Sequence, residues 1–102
     1  MGFLLSAACY HFDMVEIKTF DITNKFGMHA RPAAKLVGVA TQYKSKIYFE
    51  RDGQQINGKS MLSVLTMACP QGSMITIRAE GRDAREAVKA LGKVIEDKFG
   101  ED

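Results

Sequence analysis

Residues 73–99 constrain this chain more than any other stretch. "SMITIRAE" (73–80) alternates, with Ile75, Ile77 and Ala79 on one face of an extended strand. Directly after it, "GRDAREAVKALGKVIEDKF" changes to a helical period. Ala84, Ala87, Val88, Leu91, Ile95 and Phe99 mark one apolar stripe there, with Asp83 as the expected N-cap. A strictly alternating strand has one dry face, and a helix with one stripe must lie on something. The pair predicts a helix laid on a sheet whose other face meets water.

The earlier residues repeat that theme. Val15 to Thr23 alternates, with Phe20 and Ile22 on one face and Thr19 and Asp21 on the other. Ala33, Leu36, Val37 and Ala40 predict a helix from Pro32 to about Gln42. "KIYFER" (46–51) and "QQIN" (54–57) read as two strands joined by an Asp52-Gly53 hairpin turn. "GKSMLSVLTMACPQG" (58–72) reads as a short helix between glycines, closed by Pro70 and opened by Ser60 as N-cap. The order is β-α-β-β-α-β-α. The expected class is α+β: an open-faced two-layer β-sandwich, with three helices covering one face of a four-stranded antiparallel sheet. Residues 14–102 form the domain, and residues 1–13 stand apart as an extension.

Composition narrows the function. The 102 residues carry a formal net charge of +2, and their charges alternate in sign rather than cluster. Nucleic acid is therefore not the expected partner, and Tyr48 is the only aromatic expected on a strand's outer face. The apolar part of "MGFLLSAACYHFD" is about ten residues long, too short to span a bilayer. No basic residue precedes Lys18, as a signal peptide would require, and "LSAAC" has its leucine one place too early for a lipoprotein box. No membrane attachment is expected. Cys9 and Cys69 are expected as free thiols in a reducing cytosol, with Cys69 packing as a small hydrophobe. His11 has no evident partner.

The chemistry points to "KFGMHARPAAKLV" (25–37). His29 stands where a helix begins. Gly27 permits a tight turn just before it, and Pro32 in the first turn gives up no helical hydrogen bond. Arg31 adds a planar cationic fork suited to phosphate or carboxylate oxygens. The free N–H groups of a first turn, with the helix dipole, favour an anion at the same place. A neutral imidazole nitrogen there can attack phosphorus and later leave again. Metal binding fits less well, since no His, Cys or carboxylate lies within several residues of His29. General acid–base work also lacks a carboxylate nearby in sequence to orient the ring.

"GMHARPAAKLV" resembles the active-site signature of HPr, the histidine-containing phosphocarrier family of the bacterial sugar phosphotransferase system. "NGKSMLSVLTMACPQGS" resembles that family's second signature, and the likeness runs over Met14–Asp102. The resemblance implies a carrier without cofactor or metal that works as a monomer in the cytoplasm. It implies that His29 takes a phosphoryl group on Nδ1 from enzyme I, primed by phosphoenolpyruvate, and passes it to a IIA domain. Arg31 would contact the phosphoryl oxygens, and the N–H groups of Ala30 and Arg31 would receive them. "ITNKFGMHARPA" also looks like the nitrogen-branch relative NPr, which leaves the acceptor open.

By the same resemblance, Ser60 corresponds to the serine modified by HPr kinase/phosphorylase. The helix after it is apolar almost all round, with Met61, Val64 and Ala68 on one side and Leu62 and Leu65 on another. A two-layer protein cannot bury both sides, so Met61, Leu62 and Leu65 are expected to form a docking knob. Two rival readings stay open: a regulatory module in which His29 is vestigial, and an independent phosphohydrolase. The second needs an acid–base residue that the local sequence does not offer.

Overall fold

The computed structural model describes residues 14–101, so the expectations for residues 1–13, Cys9 and His11 lie outside it. Four strands form one antiparallel sheet in the order β1-β4-β2-β3: β1 (Met14–Asp21), β2 (Lys46–Arg51), β3 (Gln54–Asn57) and β4 (Met74–Gly81). Three helices, α1 (Ala30–Ala40), α2 (Met61–Thr66) and α3 (Ala84–Glu96), complete the expected order.

Register explains which face is dry. Phe20 lies opposite Ile75, Phe49 opposite Ile77 and Ile47 opposite Ala79, so one face of three strands carries an unbroken apolar layer. All six side chains are buried, together with Ala33, Leu36 and Ala40 of α1 and Ala84, Ala87, Val88, Leu91 and Ile95 of α3. Removing each large aliphatic or aromatic side chain from water contributes about 1.5–3 kcal/mol. The opposite face meets water and is mixed, with Val15, Ile17 and Met74 exposed on it among polar side chains. Thr19 and Thr76 Oγ1 atoms are 2.8 Å apart across β1 and β4, and Arg78 donates from Nε to Glu80 over 2.7 Å. The hairpin is as the Asp-Gly pair predicts: Asp52 and Gly53 take φ of +54° and +80°, which the twist of the flanking strands requires.

Several boundaries move. β1 ends at Asp21 rather than Thr23, because Ile22 leaves the ladder and instead exchanges backbone bonds with Gly72 and Ser73. α1 starts at Ala30, two residues before Pro32, which places Arg31 inside the first turn. α3 stops at Glu96 and does not carry its stripe to Phe99 by continuing as helix. A 3-10 turn (Lys98–Gly100) follows, in which Lys98 and Phe99 adopt positive φ and swing the Phe99 ring back into the core. Asp83 occupies the N-cap position but makes no cap bond. Its carboxylate accepts from the Lys44 and Ser45 N–H groups and from Ser45 Oγ, tying the loop before β2 to the start of α3. Ser60 does cap α2, accepting from Ser63 N at 3.2 Å.

Candidate functional site

The loop from Asn24 to His29 is built from the inside out. Asn24 is fully buried, and its Nδ2 donates to Gly27 O at 2.8 Å and to Glu101 Oε1 at 3.0 Å. Met28 N donates to Cys69 O at 2.8 Å, which presses the loop against residues 69–70. Gly27 takes φ +65°, and a Cβ there would stand 2.3 Å from Cys69 O. Only glycine serves at that position. His29 follows in extended geometry as the N-cap of α1, and its carbonyl accepts from Ala33 N at 3.0 Å.

Its side chain makes no capping bond, so the ring is free to do something else. The N–H groups of Ala30 and Arg31 have no acceptor among the described residues. They lie at the positive end of an 11-residue helix with no acidic side chain in its first turn. Arg31 is exposed and lines a shallow cleft together with Phe26, His29, Lys35, Gly100 and Glu101.

The two ring nitrogens differ. Nε2 is buried, with Glu101 Oε2 3.0 Å away, while the side chain as a whole is 40% exposed. The carboxylate lies off the axis of a hydrogen on Nε2, so the contact is close but is not an aligned hydrogen bond. Nδ1 has no hydrogen-bond partner among the described residues, and it lies on the ring's other side. The Phe26 ring meets the imidazole edge-on, with centroids 6.4 Å apart.

Glu101 brings to His29 a carboxylate that the neighbouring sequence does not supply. It stands 77 residues from Asn24 along the chain, and local spacing could not reveal it. Lys35 Nζ donates to Phe99 O and so pins the segment that delivers Glu101 to the cleft. Phe26, 72% exposed beside the imidazole, is the other residue that sequence reasoning missed. The available signal was a large aromatic among turn-forming residues.

The expected docking residues divide. Leu62 is 74% and Leu65 44% exposed, whereas Met61 is half-buried and packed on the core. Ala68, expected to sit with Met61 and Val64 on one side, is exposed, because α2 ends at Thr66. Ser60 is half-buried at the start of the same helix, which packs against α1. Cys69 is buried and free, and burial pushes its thiol up from its ordinary value. No group of three possible metal-binding side chains occurs among the described residues, nor is any of their helices long and apolar enough to cross a membrane.

A family model described as "PTS HPr component phosphorylation site" matches residues 17–97. The chain belongs to the PTS HPr family. Phosphocarrier protein HPr of Xylella fastidiosa is 38% identical over 81 residues, which are 79% of this chain and 91% of that one. The HPr-like protein Crh of Halalkalibacterium halodurans is 42% identical over 83 residues, 81% of this chain and 98% of that one. A crystal structure of HPr from Thermoanaerobacter tengcongensis superimposes with a TM-score of 0.83 at 42% identity, covering 85% of this chain and 98% of that one. The likeness extends through fold and sequence together, and the HPr-family role is that of a phosphocarrier in the phosphotransferase system. Among the described residues of this HPr-family chain, the cleft combines an imidazole, an arginine and unpaired helix-start amides.

Proposed function

We propose that His29 accepts a phosphoryl group on Nδ1 from enzyme I and hands it to a IIA domain. The Nδ1 lone pair attacks phosphorus, and the bond to the donor's leaving nitrogen breaks with its electron pair going to that nitrogen. The three phosphoryl oxygens then meet the N–H groups of Ala30 and Arg31 and the Arg31 guanidinium. Transfer onward reverses the step, with the Nδ1–P electron pair returning to the ring. The observation that carries this reading is the N-cap position of a half-exposed imidazole beside unpaired amides.

Turnover needs both partners. Glu101 faces Nε2, across the ring from a phosphorus on Nδ1, and is badly placed to activate water against it. That geometry supports a carrier over an independent phosphohydrolase. Leu62 and Leu65, with Phe26 beside the imidazole, supply an apolar rim for both partners. Met61 contributes from its half-buried position. The domain of residues 14–102 acts as a monomer in the cytoplasm on this reading, with residues 1–13 as an appendage.

Incubation with phosphoenolpyruvate and enzyme I is expected to add one acid-labile, base-stable phosphate, and His29→Ala to abolish it. Label persisting in that variant removes the carrier reading. A second, regulatory reading centres on Ser60, the half-buried N-cap of α2. A phosphate there adds nearly two negative charges at the start of α2, beside the apolar rim, and weakens docking. Acid-stable phosphate on Ser60 after treatment with ATP and HPr kinase/phosphorylase is the expected result, and its absence at saturating kinase ends that reading.

A further inference from the structure

The mechanism above leaves one half-buried carboxylate of the cleft without a task. Glu101 lies within 3.0 Å of the imidazole nitrogen that carries no phosphate, and a buried asparagine holds its other oxygen. We propose that Glu101 is a positioning residue that keeps the ring proton on Nε2 and so leaves the Nδ1 lone pair free to attack. The inference rests on Nδ1 being the phosphorylated atom.

Three observations converge on it. Nε2 is buried, so water does not serve it, and Glu101 Oε2 is the polar atom in reach. A buried ring nitrogen 3.0 Å from a carboxylate is favoured with the positive end of an N–H there, by electrostatic attraction, and disfavoured with a lone pair turned on those oxygens. The Asn24 orientation is also fixed, because Nδ2 donates both to Gly27 O and to Glu101 Oε1. That leaves Oε2 for the imidazole. When Nδ1 forms its bond to phosphorus, the proton remains on Nε2 and the ring becomes cationic. The carboxylate already faces that charge, so no group need move to meet it.

The direction of the Asn24 bond makes the proposal sharp. In Glu101→Gln, the amide oxygen goes to Asn24 Nδ2, because that donor needs an acceptor. The amide NH2 is then turned on Nε2, which must accept, and the ring proton moves to Nδ1. The nucleophilic lone pair is lost. An isosteric change is therefore expected to be worse than truncation. In serine proteases an analogous carboxylate-to-amide change traps a histidine in the wrong tautomer.

The test reads the tautomer directly by 15N NMR of the imidazole, in the unphosphorylated protein under conditions where the ring is neutral. Wild type is expected to carry hydrogen on Nε2. Glu101→Ala should give a mixture of tautomers, and Glu101→Gln mainly Nδ1–H. Phosphoryl transfer from enzyme I should fall several-fold in Glu101→Ala and at least about tenfold in Glu101→Gln. The ring proton staying on Nε2 in both variants overturns the proposal, as does a tautomer change with no loss of transfer. Failure of wild type to accept any phosphate would overturn the carrier reading instead, while the tautomer spectra would still report on Glu101.

Discussion

Replacing Gly27 by alanine tests the link between backbone and site. The residue sits at φ +65°, where an L side chain is disfavoured by about 1–2 kcal/mol. The new Cβ would also stand 2.3 Å from Cys69 O and 2.8 Å from Pro70 Cα. Both obstacles are backbone atoms and cannot turn aside as a side chain would, so overpacking adds roughly 1–3 kcal/mol. Relief by moving the loop strains Met28 N→Cys69 O and Asn24 Nδ2→Gly27 O, both 2.8 Å, at about 1 kcal/mol for each bond lost. The expected loss is about 2–5 kcal/mol, a large part of the roughly 5–15 kcal/mol that a domain has. Urea unfolding should show a lower midpoint with an unchanged slope, and Tm should fall by roughly 10 °C or more. Transfer onto His29 should fall as well in the fraction that remains folded, since the imidazole is two residues away. A loss below about 1 kcal/mol would refute the steric reasoning.

Other perturbations separate neighbouring effects. The Asp83 carboxyl is held below the usual carboxylate range, first by the Ser45 hydroxyl and then by backbone N–H groups, with burial opposing. Its folded value is depressed, so its contribution is complete above the ordinary aspartate range and fades as pH falls through the folded value. Asp83→Asn should cost about 1–2 kcal/mol near pH 7. In urea unfolding the gap to wild type should narrow at about pH 3, and an equal gap at both pH values contradicts the assignment. Leu62→Asp, at a position 74% exposed, should leave Tm unchanged while raising the KM for enzyme I several-fold. An unaltered KM would remove Leu62 from the docking surface.

Much of the fold was legible because its signals are local. The strict alternation in β4 and the single stripe of α3 each name a dry face without reference to the rest of the chain. The cap at Ser60 and the Asp-Gly turn are local in the same sense. What escaped the sequence depends on long-range geometry. Asp83 has the right residue type for an N-cap, yet its oxygens find better donors at Lys44 and Ser45, 39 and 38 residues away in sequence. The stripe ending in Phe99 reads as continuous helix, because periodicity cannot register two residues of positive φ. That turn carries Glu101 back to His29, so the carboxylate of the site was hidden by the same break. His29 and Arg31 were visible because helix-start chemistry is written in adjacent letters.

The central claim concerns one nitrogen atom and the two amides beside it. NMR of the phosphorylated, 15N-labelled protein tests it most directly. The account predicts phosphorus bonded to Nδ1 of His29, with the largest amide shifts at Ala30 and Arg31. Phosphorus on Nε2 or on another residue, or Ala30 and Arg31 amides left unmoved, would contradict it.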